Sequence, residues 1–229
     1  ELSYSEHSKY RGVDGVIVAC VDFEAEEVKE LLQSGIPVVT IDYIFNDKAC
    51  VMSDNIRGME QLVSYIIQCG HKKIAYIHGA DSFVTRSRIG SFLRTMKRYG
   101  IETEDRYIRE GIYHAPDVSA KITHELLSLE DRPTCIVYPD DFSCIGGINV
   151  IRSKGLTIPN DISVAGYDGQ RIARVIEPKI TTYRQNTEQI GRVAATKLVE
   201  LIEQPELALV ERLDVQGELI RGCSVLSMK

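Results

Sequence analysis

Residues 73–100 read KIAYIHGADSFVTRSRIGSFLRTMKRYG. The run 73–78 is short and apolar, and after it come apolar residues at Ile89, Phe92, Leu93 and Met96, with Gly100 behind them. Spacings of three and four residues make one helical face, and glycine is a frequent helix stop. The stretch therefore reads as one strand followed by one helix. A strand without polar alternation has both faces covered, as in a parallel sheet with crossover helices.

The same unit recurs along the chain. Residues 16–20, 37–41, 134–138 and 162–167 are further apolar strand candidates, with helical stripes between and after them. Asp22 is placed to cap a helix whose Glu24, Glu26 and Glu27 favour the positive end of the dipole. That helix carries Ala25, Val28, Leu31 and Leu32 and stops at Gly35. A second starts near Asn55, buries Met59, Leu62, Val63, Ile66 and Ile67, and stops at Gly70. Other stripes are Val118, Ile122, Leu126 and Leu129; Phe142, Ile145, Ile148 and Ile151 before Gly155; and Ile190, Ala194, Leu198 and Leu201. Alternation of this kind predicts an α/β fold with parallel sheets. Two successive series, with no Pro/Gly/Ser-rich seam between them, predict two lobes joined by several chain crossings.

Composition sets limits on function. The 229 residues are 44% hydrophobic and carry a formal charge of −6, which argues against this stretch gripping a phosphate backbone. No apolar run approaches the roughly 20 residues needed to cross a bilayer, and the first residues show no export signal. The six cysteines, Cys20, Cys50, Cys69, Cys135, Cys144 and Cys223, are scattered without a CxxC pair. They are read as reduced, buried and cytosolic.

Ligands of open parallel sheets bind beyond the carboxyl ends of the strands. Three of those ends carry aspartate: Asp42, the pair Asp140 and Asp141, and Asp168. Asp141 is read as a helix cap. A carboxylate accepts two hydroxyl protons, which suits polyols, but such a group of acids would equally hold Mg²⁺ or serve as a phosphoacceptor. Arg88 is placed at the start of the helix after strand 73–78, where a cation opposes the dipole unless it pairs, for instance with Asp168 or a ligand. Arg86 is placed in the preceding loop and is a second candidate. Tyr113, between Gly111 and Pro116, is an aromatic that can stack on a ring. There is no GxGxxG after a strand, no GxxxxGK[ST] and no GxSxG, and His124-Glu125 lacks a second histidine at Ser128. No nucleophile, cofactor or metal site is set up. His71 and His78 read as structural, and His7, His114 and His124 share no ligand spacing.

Ordered wording then identifies a family. Val13-Asp14-Gly15-Val16-Ile17, the stretch from Gly35 through Pro37 to Asp42, Asp54-Asn55 with Gly58, and Gly70-His71-Lys72-Lys73-Ile74 occur in the order found in LacI/GalR regulators. So do Arg88 with Phe92 (Ser91 standing for a glycine), Pro133-Thr134, Asp140-Asp141 with Gly146 (Asp140 standing for an asparagine), Pro159 with Asp161-Ile162-Ser163-Val164 and Gly166-Tyr167-Asp168, and Thr181-Thr182 with Gln185 and Gly191. The chain resembles that family across essentially its whole length.

The resemblance implies two Rossmann-like lobes of the type I periplasmic-binding-protein fold, with crossings near Ser53, Arg184 and Leu213. On that reading 1–53 and 184–212 form the amino-terminal lobe and 54–183 and 213–229 the carboxy-terminal one. It implies a sugar-like effector held by Asp42, Arg88, Tyr113, Asp140, Phe142, Asp168 and Gln185. It further implies a cytoplasmic homodimer that reaches operator DNA through a helix-turn-helix headpiece lying, with the first part of the amino lobe, outside this stretch. Aspartate at 140 only accepts hydrogen bonds, so the ligand should present extra donors there. The alternatives are an extracytoplasmic sugar-binding protein of the same fold and, in another class, a Mg²⁺-dependent enzyme or phosphoacceptor using Asp140 and Asp141.

Overall fold

A computed structural model of the chain describes residues 2–228. They divide into two compact units, Glu1–Asp54 with Asn186–Gln216 and Asn55–Gln185 with Gly217–Lys229.

Unit 1 holds a four-stranded parallel sheet in the order β1 (Val16–Val18), β2 (Val38–Ile41), β3 (Ala49–Ser53), β9 (Arg212–Val215). One face packs Val39, Ala49, Val51 and Val215 against Ile190 and Ala194 of α8 (Thr187–Glu203). The other packs Val18 and Val38 against Val28, Leu31 and Leu32 of α2 (Glu26–Gln33). The third passage between units falls after Gln216 rather than near Leu213, because Leu213 and Val215 pair with Val51 and Ser53 of β3. A further helix, α1, covers Tyr4–Arg11 and is closed at its start by a capping box between Ser3 and Glu6. Asp22 does not cap α2. Its carboxylate receives the N–H of Glu24 in the preceding turn, and the helix starts after Ala25 with no side-chain cap.

Unit 2 holds six strands in the order β10 (Glu218–Ile220), β8 (Thr181–Arg184), β7 (Ser163–Asp168), β6 (Cys135–Val137), β4 (Ile74–His78), β5 (Ile108–Glu110). Only β10 runs antiparallel. The two-residue period of a strand divides its side chains between two cores. Ile74, Tyr76, Cys135, Val137, Ala165 and Tyr167 meet α3 (Asn55–Gln68) and α4 (Phe83–Arg98). Ala75, Ile77, Ile136, Tyr138 and Val164 meet α5 (Pro116–Leu127) and α6 (Asp141–Ser153). α7 is a single turn, Ile172–Val175. The expected α6 stripe is corrected at Phe142, which is 44% exposed; the buried face is Cys144, Ile148 and Ile151.

Strands β3, β5, β8, β9 and β10 were not among the apolar runs. Thr181–Arg184 and Arg212–Val215 carry too many polar residues for that pattern, and their pairing is decided by neighbours. The cysteine reading is corrected at two positions: Cys50, Cys69, Cys135 and Cys144 are buried, but Cys20 and Cys223 are exposed. Both lie in loops beyond strand ends.

The amino ends of the unit 2 strands are stitched by the last residues of the chain. Ser224 exchanges hydrogen bonds with Val164 and receives the Thr181 N–H, and Leu226 N–H donates to the Ser163 hydroxyl. His71 lies inside this seam, 1% exposed, with Nδ1 2.9 Å from Thr134 Oγ1 and Nε2 3.1 Å from the Leu226 carbonyl. Burial pushes its pKa below the ordinary 6.5, against the opposing bond to Leu226. α5 and α6 approach so closely that a Cβ on Gly146 would lie 1.8 Å from the Pro116 carbonyl oxygen.

Two predictions follow from this packing. The unfolded chain takes up a proton at His71 before the folded chain does, so the stability His71 contributes is complete above pH ~6.5 and is lost as pH falls from there through its lowered folded pKa. The stability advantage of wild type over His71→Gln in urea should accordingly narrow between about pH 7.5 and 5; a constant gap would assign His71 no titrating role. Gly146→Ala should lower stability by roughly 2–3 kcal/mol, because the obstacle is backbone and cannot swing away.

Candidate functional site

In unit 2 the sheet order reverses at β4. The chain goes outward from β4 to β5, then returns to β4's other side for β6. The space beyond the carboxyl ends at such a switch is where ligands of open parallel sheets collect. Gly79 follows β4, Pro139 and Asp140 follow β6, and Asp168 ends β7.

Arg88 occupies this switch point. Its helix is longer than its stripe: α4 starts at Phe83, with the Ser82 hydroxyl capping the Thr85 N–H. Arg88 therefore lies in the second turn rather than at the start. Arg86, expected in a loop, is helical, exposed and paired with Asp81 at 2.8 Å. Arg88 is only 3% exposed. Its Nε donates to Asn55 Oδ1 at 2.8 Å and its Nη1 to the Pro139 carbonyl at 3.2 Å. The guanidinium carbon sits 3.7 Å over the Tyr167 ring and 5.7 Å from that of Tyr113. Nη2 is 3.9 Å from Asp168 Oδ1. Burial works against the charge, but Tyr167, Tyr113 and Asp168 more than offset it, and the pKa is raised.

Asp168 has φ +90, a conformation rarely adopted by side-chain-bearing residues. Its Oδ1 accepts from Gln185 Nε2 at 2.5 Å, and its carbonyl accepts the Gln185 N–H. Burial raises its pKa, with Arg88 and Gln185 opposing. Tyr113 comes from the loop after β5. Its ring lies over Gly79, where any Cβ would come within 2.0 Å of it, and its hydroxyl is 2.9 Å from Thr85 Oγ1.

Of the two adjacent aspartates, the cap assigned from sequence to the second belongs to the first. Asp140, not Asp141, is the N-cap of α6: Oδ1 receives the Ser143 N–H at 2.7 Å, and Oδ2 receives the Ser143 hydroxyl and the His114 N–H. It is fully buried, and its work is to tie the Tyr113–His114 loop to the helix start. Asp141 is also buried and accepts the Gln170 N–H at 2.7 Å. Burial pushes its carboxyl up to about 7.

The structure thus brings together Arg88, Tyr113, Asp140, Asp168 and Gln185. Phe142 stands exposed one position into α6, and Asp42 lies at the end of β2 in unit 1, exposed, with φ +61. The sequence reading missed Asn55 and Tyr167 as partners of Arg88. Asn55 heads a helix and Tyr167 belongs to an apolar run, and neither position signals a partner from another element. Among the described residues no group of three or more His, Cys, Asp or Glu side chains is placed to hold a metal ion, and no helix is long and apolar enough to cross a membrane.

Residues 63–225 match the family model for a periplasmic binding protein-like domain. The chain is 30% identical over 218 residues to the HTH-type transcriptional repressor PurR of Mannheimia succiniciproducens, covering 93% of this chain and 64% of that protein. It therefore spans somewhat less than two thirds of that relative. Among solved structures, a LacI family transcriptional regulator from Enterococcus faecium with bound ribose superposes with a TM-score of 0.85 at 25% identity, covering 100% of this chain and 85% of that one. The transcriptional regulator CelR in complex with cellobiose gives 0.84 at 26% identity, covering 97% and 71%.

Arg88→Lys should cost about 2–3 kcal/mol in chemical denaturation although it conserves the charge. An ammonium cannot bond Asn55 and Pro139 while lying flat on Tyr167. A cost under about 0.5 kcal/mol, the level of an ordinary surface substitution, would show that the buried fork is not structurally required.

Proposed function

The chain belongs to the periplasmic binding protein-like domain family, and from that premise we propose that it is the effector-binding part of a LacI-type transcription regulator that recognises a sugar or sugar derivative. The observation that carries this reading is the Arg88 group: a buried guanidinium on the Tyr167 ring, with the Asp168 carboxylate and Gln185 amide alongside at the strand-end switch. Donors and acceptors set side by side next to the partly exposed Tyr113 ring match the alternating hydroxyls and apolar ring face of a sugar. The ribose and cellobiose complexes of two similar proteins support the same ligand class.

Arg88 donates to ligand oxygens, Asp168 accepts hydroxyl protons, Gln185 holds the carboxylate and offers its amide, and Tyr113 stacks. Phe142 is proposed as a further contact, and Asp140 as the anchor of the Tyr113 loop. The group performs binding rather than catalysis. The parent regulator acts in the cytoplasm as a homodimer on operator DNA, by population shift: the effector binds one conformation more tightly, and the ratio of its two affinities sets the response.

A thermal-shift screen of the chain against ribose, other pentoses, hexoses, cellobiose, sugar phosphates, purine bases and Mg²⁺ tests this. A recognised sugar at about 100 times its Kd should add about 2.7 kcal/mol of stability. Asp168→Asn should weaken binding about tenfold or more while leaving the unliganded protein folded, since a carboxylate bond to a hydroxyl is roughly twice as strong as a neutral one. A response confined to Mg²⁺ would overturn the reading.

A further inference from the structure

The backbone at Asp168 and Gly169 turns through two consecutive positive φ angles, +90 and +66. A residue with a side chain persists in such a conformation only where its surroundings fix it. Two groups from other elements do so. The Gly169 N–H donates to the Thr182 hydroxyl of β8 at 3.2 Å, and the Gln170 N–H donates to Asp141 Oδ2 of α6 at 2.7 Å. Thr182 also faces the Asp141 carboxyl and holds its pKa down. Asp141 and Thr182 are 0% and 1% exposed, so neither is placed to touch a ligand. The second Asp141 oxygen, Oδ1, is buried without a hydrogen-bond partner and lies where a Cβ on Gly166 would come within 2.2 Å of it. A carboxyl group left half-satisfied in the interior is costly, and its retained contact is the one that holds the turn.

We propose that Asp141, with Thr182, is a positioning residue for the effector site: from beneath the face it pins the Gly169–Gln170 turn and thereby sets the Asp168 carboxylate against Arg88 and Gln185. The proposal rests on the Arg88–Asp168 group being the binding site, but the pinning itself is a property of the unliganded chain. It carries a pH dependence. The charged or titratable groups facing Asp141 are Asp168 from β7 and Asp140 and Cys144 from its own helix; the partners from β8 and from the turn are the uncharged Thr182 and the Gln170 N–H. The Asp168 and Asp140 carboxylates oppose a negative charge there, as burial does, while the Cys144 thiol, its own pKa pushed up by burial, stays neutral. The folded pKa lies above the unfolded one, so Asp141 favours folding most at low pH, and that contribution declines as pH rises through the folded value of about 7.

Amide hydrogen exchange followed by NMR on the 229-residue chain, without ligand, tests this with Asp141→Asn, Asp141→Ala and Thr182→Val. Asp141→Ala should reduce protection of the Gln170 amide roughly tenfold, the loss expected for one buried hydrogen bond to a carboxylate, and displace the Asp168 carboxyl resonance. The Ser143 amide, held by Asp140, should be unchanged. Asp141→Asn keeps an acceptor and should restore protection of Gln170 while abolishing the dependence of that protection on pH between about 6 and 8. Thr182→Val, which preserves shape, should release the Gly169 amide and keeps the test open if Asp141→Ala fails to fold. Unchanged Gln170 and Gly169 protection in the variants, or a pH dependence that survives in Asp141→Asn, would overturn the proposal. Because no ligand enters these measurements, a failed sugar screen and a failed pinning test are separate results.

Discussion

The buried guanidinium of Arg88 is the constraint around which unit 2 is organised. Removing a charged group from water costs several kcal/mol unless its donors are satisfied and its charge is opposed. Here the satisfaction is divided: a side-chain carbonyl from α3, a main-chain carbonyl after β6, a ring face from β7, and a carboxylate at a distance too long for a direct hydrogen bond. Three segments must therefore meet α4 in fixed register for one side chain to be tolerated. Ser91, one turn further on, reinforces the meeting by donating to the Ile56 carbonyl at 2.6 Å, which locks α4 to α3 just below Arg88.

Space for these rings and carboxylates is made by residues that have no side chain. A Cβ on Gly58 would fall 2.3 Å from the Tyr167 hydroxyl, and one on Gly79 would enter the Tyr113 ring. Both glycines thus act on the site through an aromatic neighbour, and both lie where a helix or loop crosses the strand ends closely. The Tyr167 hydroxyl itself is buried without a partner, so the ring is retained for its face, which carries the guanidinium, and not for its polar tip.

The two ends of the unit 2 sheet differ in chemistry. At the amino ends, Ser163, Ser224, Thr134 and His71 use their capacity on one another and on main chain, and the chain's last residues close the seam. At the carboxyl ends, the Arg88 and Asp168 charges face one another at 3.9 Å, with Asp168 in a conformation that its neighbours enforce.

The sequence alone settled the alternation of strands and helices, the helical faces at Met59–Ile66 and Phe92–Met96, and the strand ends at which Asp168 and Asp140 sit, because hydrophobic period and chain direction are local properties. It also marked the polar residues worth examining, since a carboxylate directly after an apolar run stands out from its neighbours. It did not separate Asp140 from Asp141: adjacent acids at a helix start are alike in sequence, and which one caps depends on the loop of His114 packing against the first and the turn of Gln170 against the second. Nor did it find the polar strands β8 and β9, the depth of Arg88 in its helix, or the partners Asn55 and Tyr167. Those depend on which distant segments the sheet order brings into contact, and only the tertiary structure decides that, because a buried polar group is satisfied by whatever lies beside it in space and not by what lies beside it in the chain.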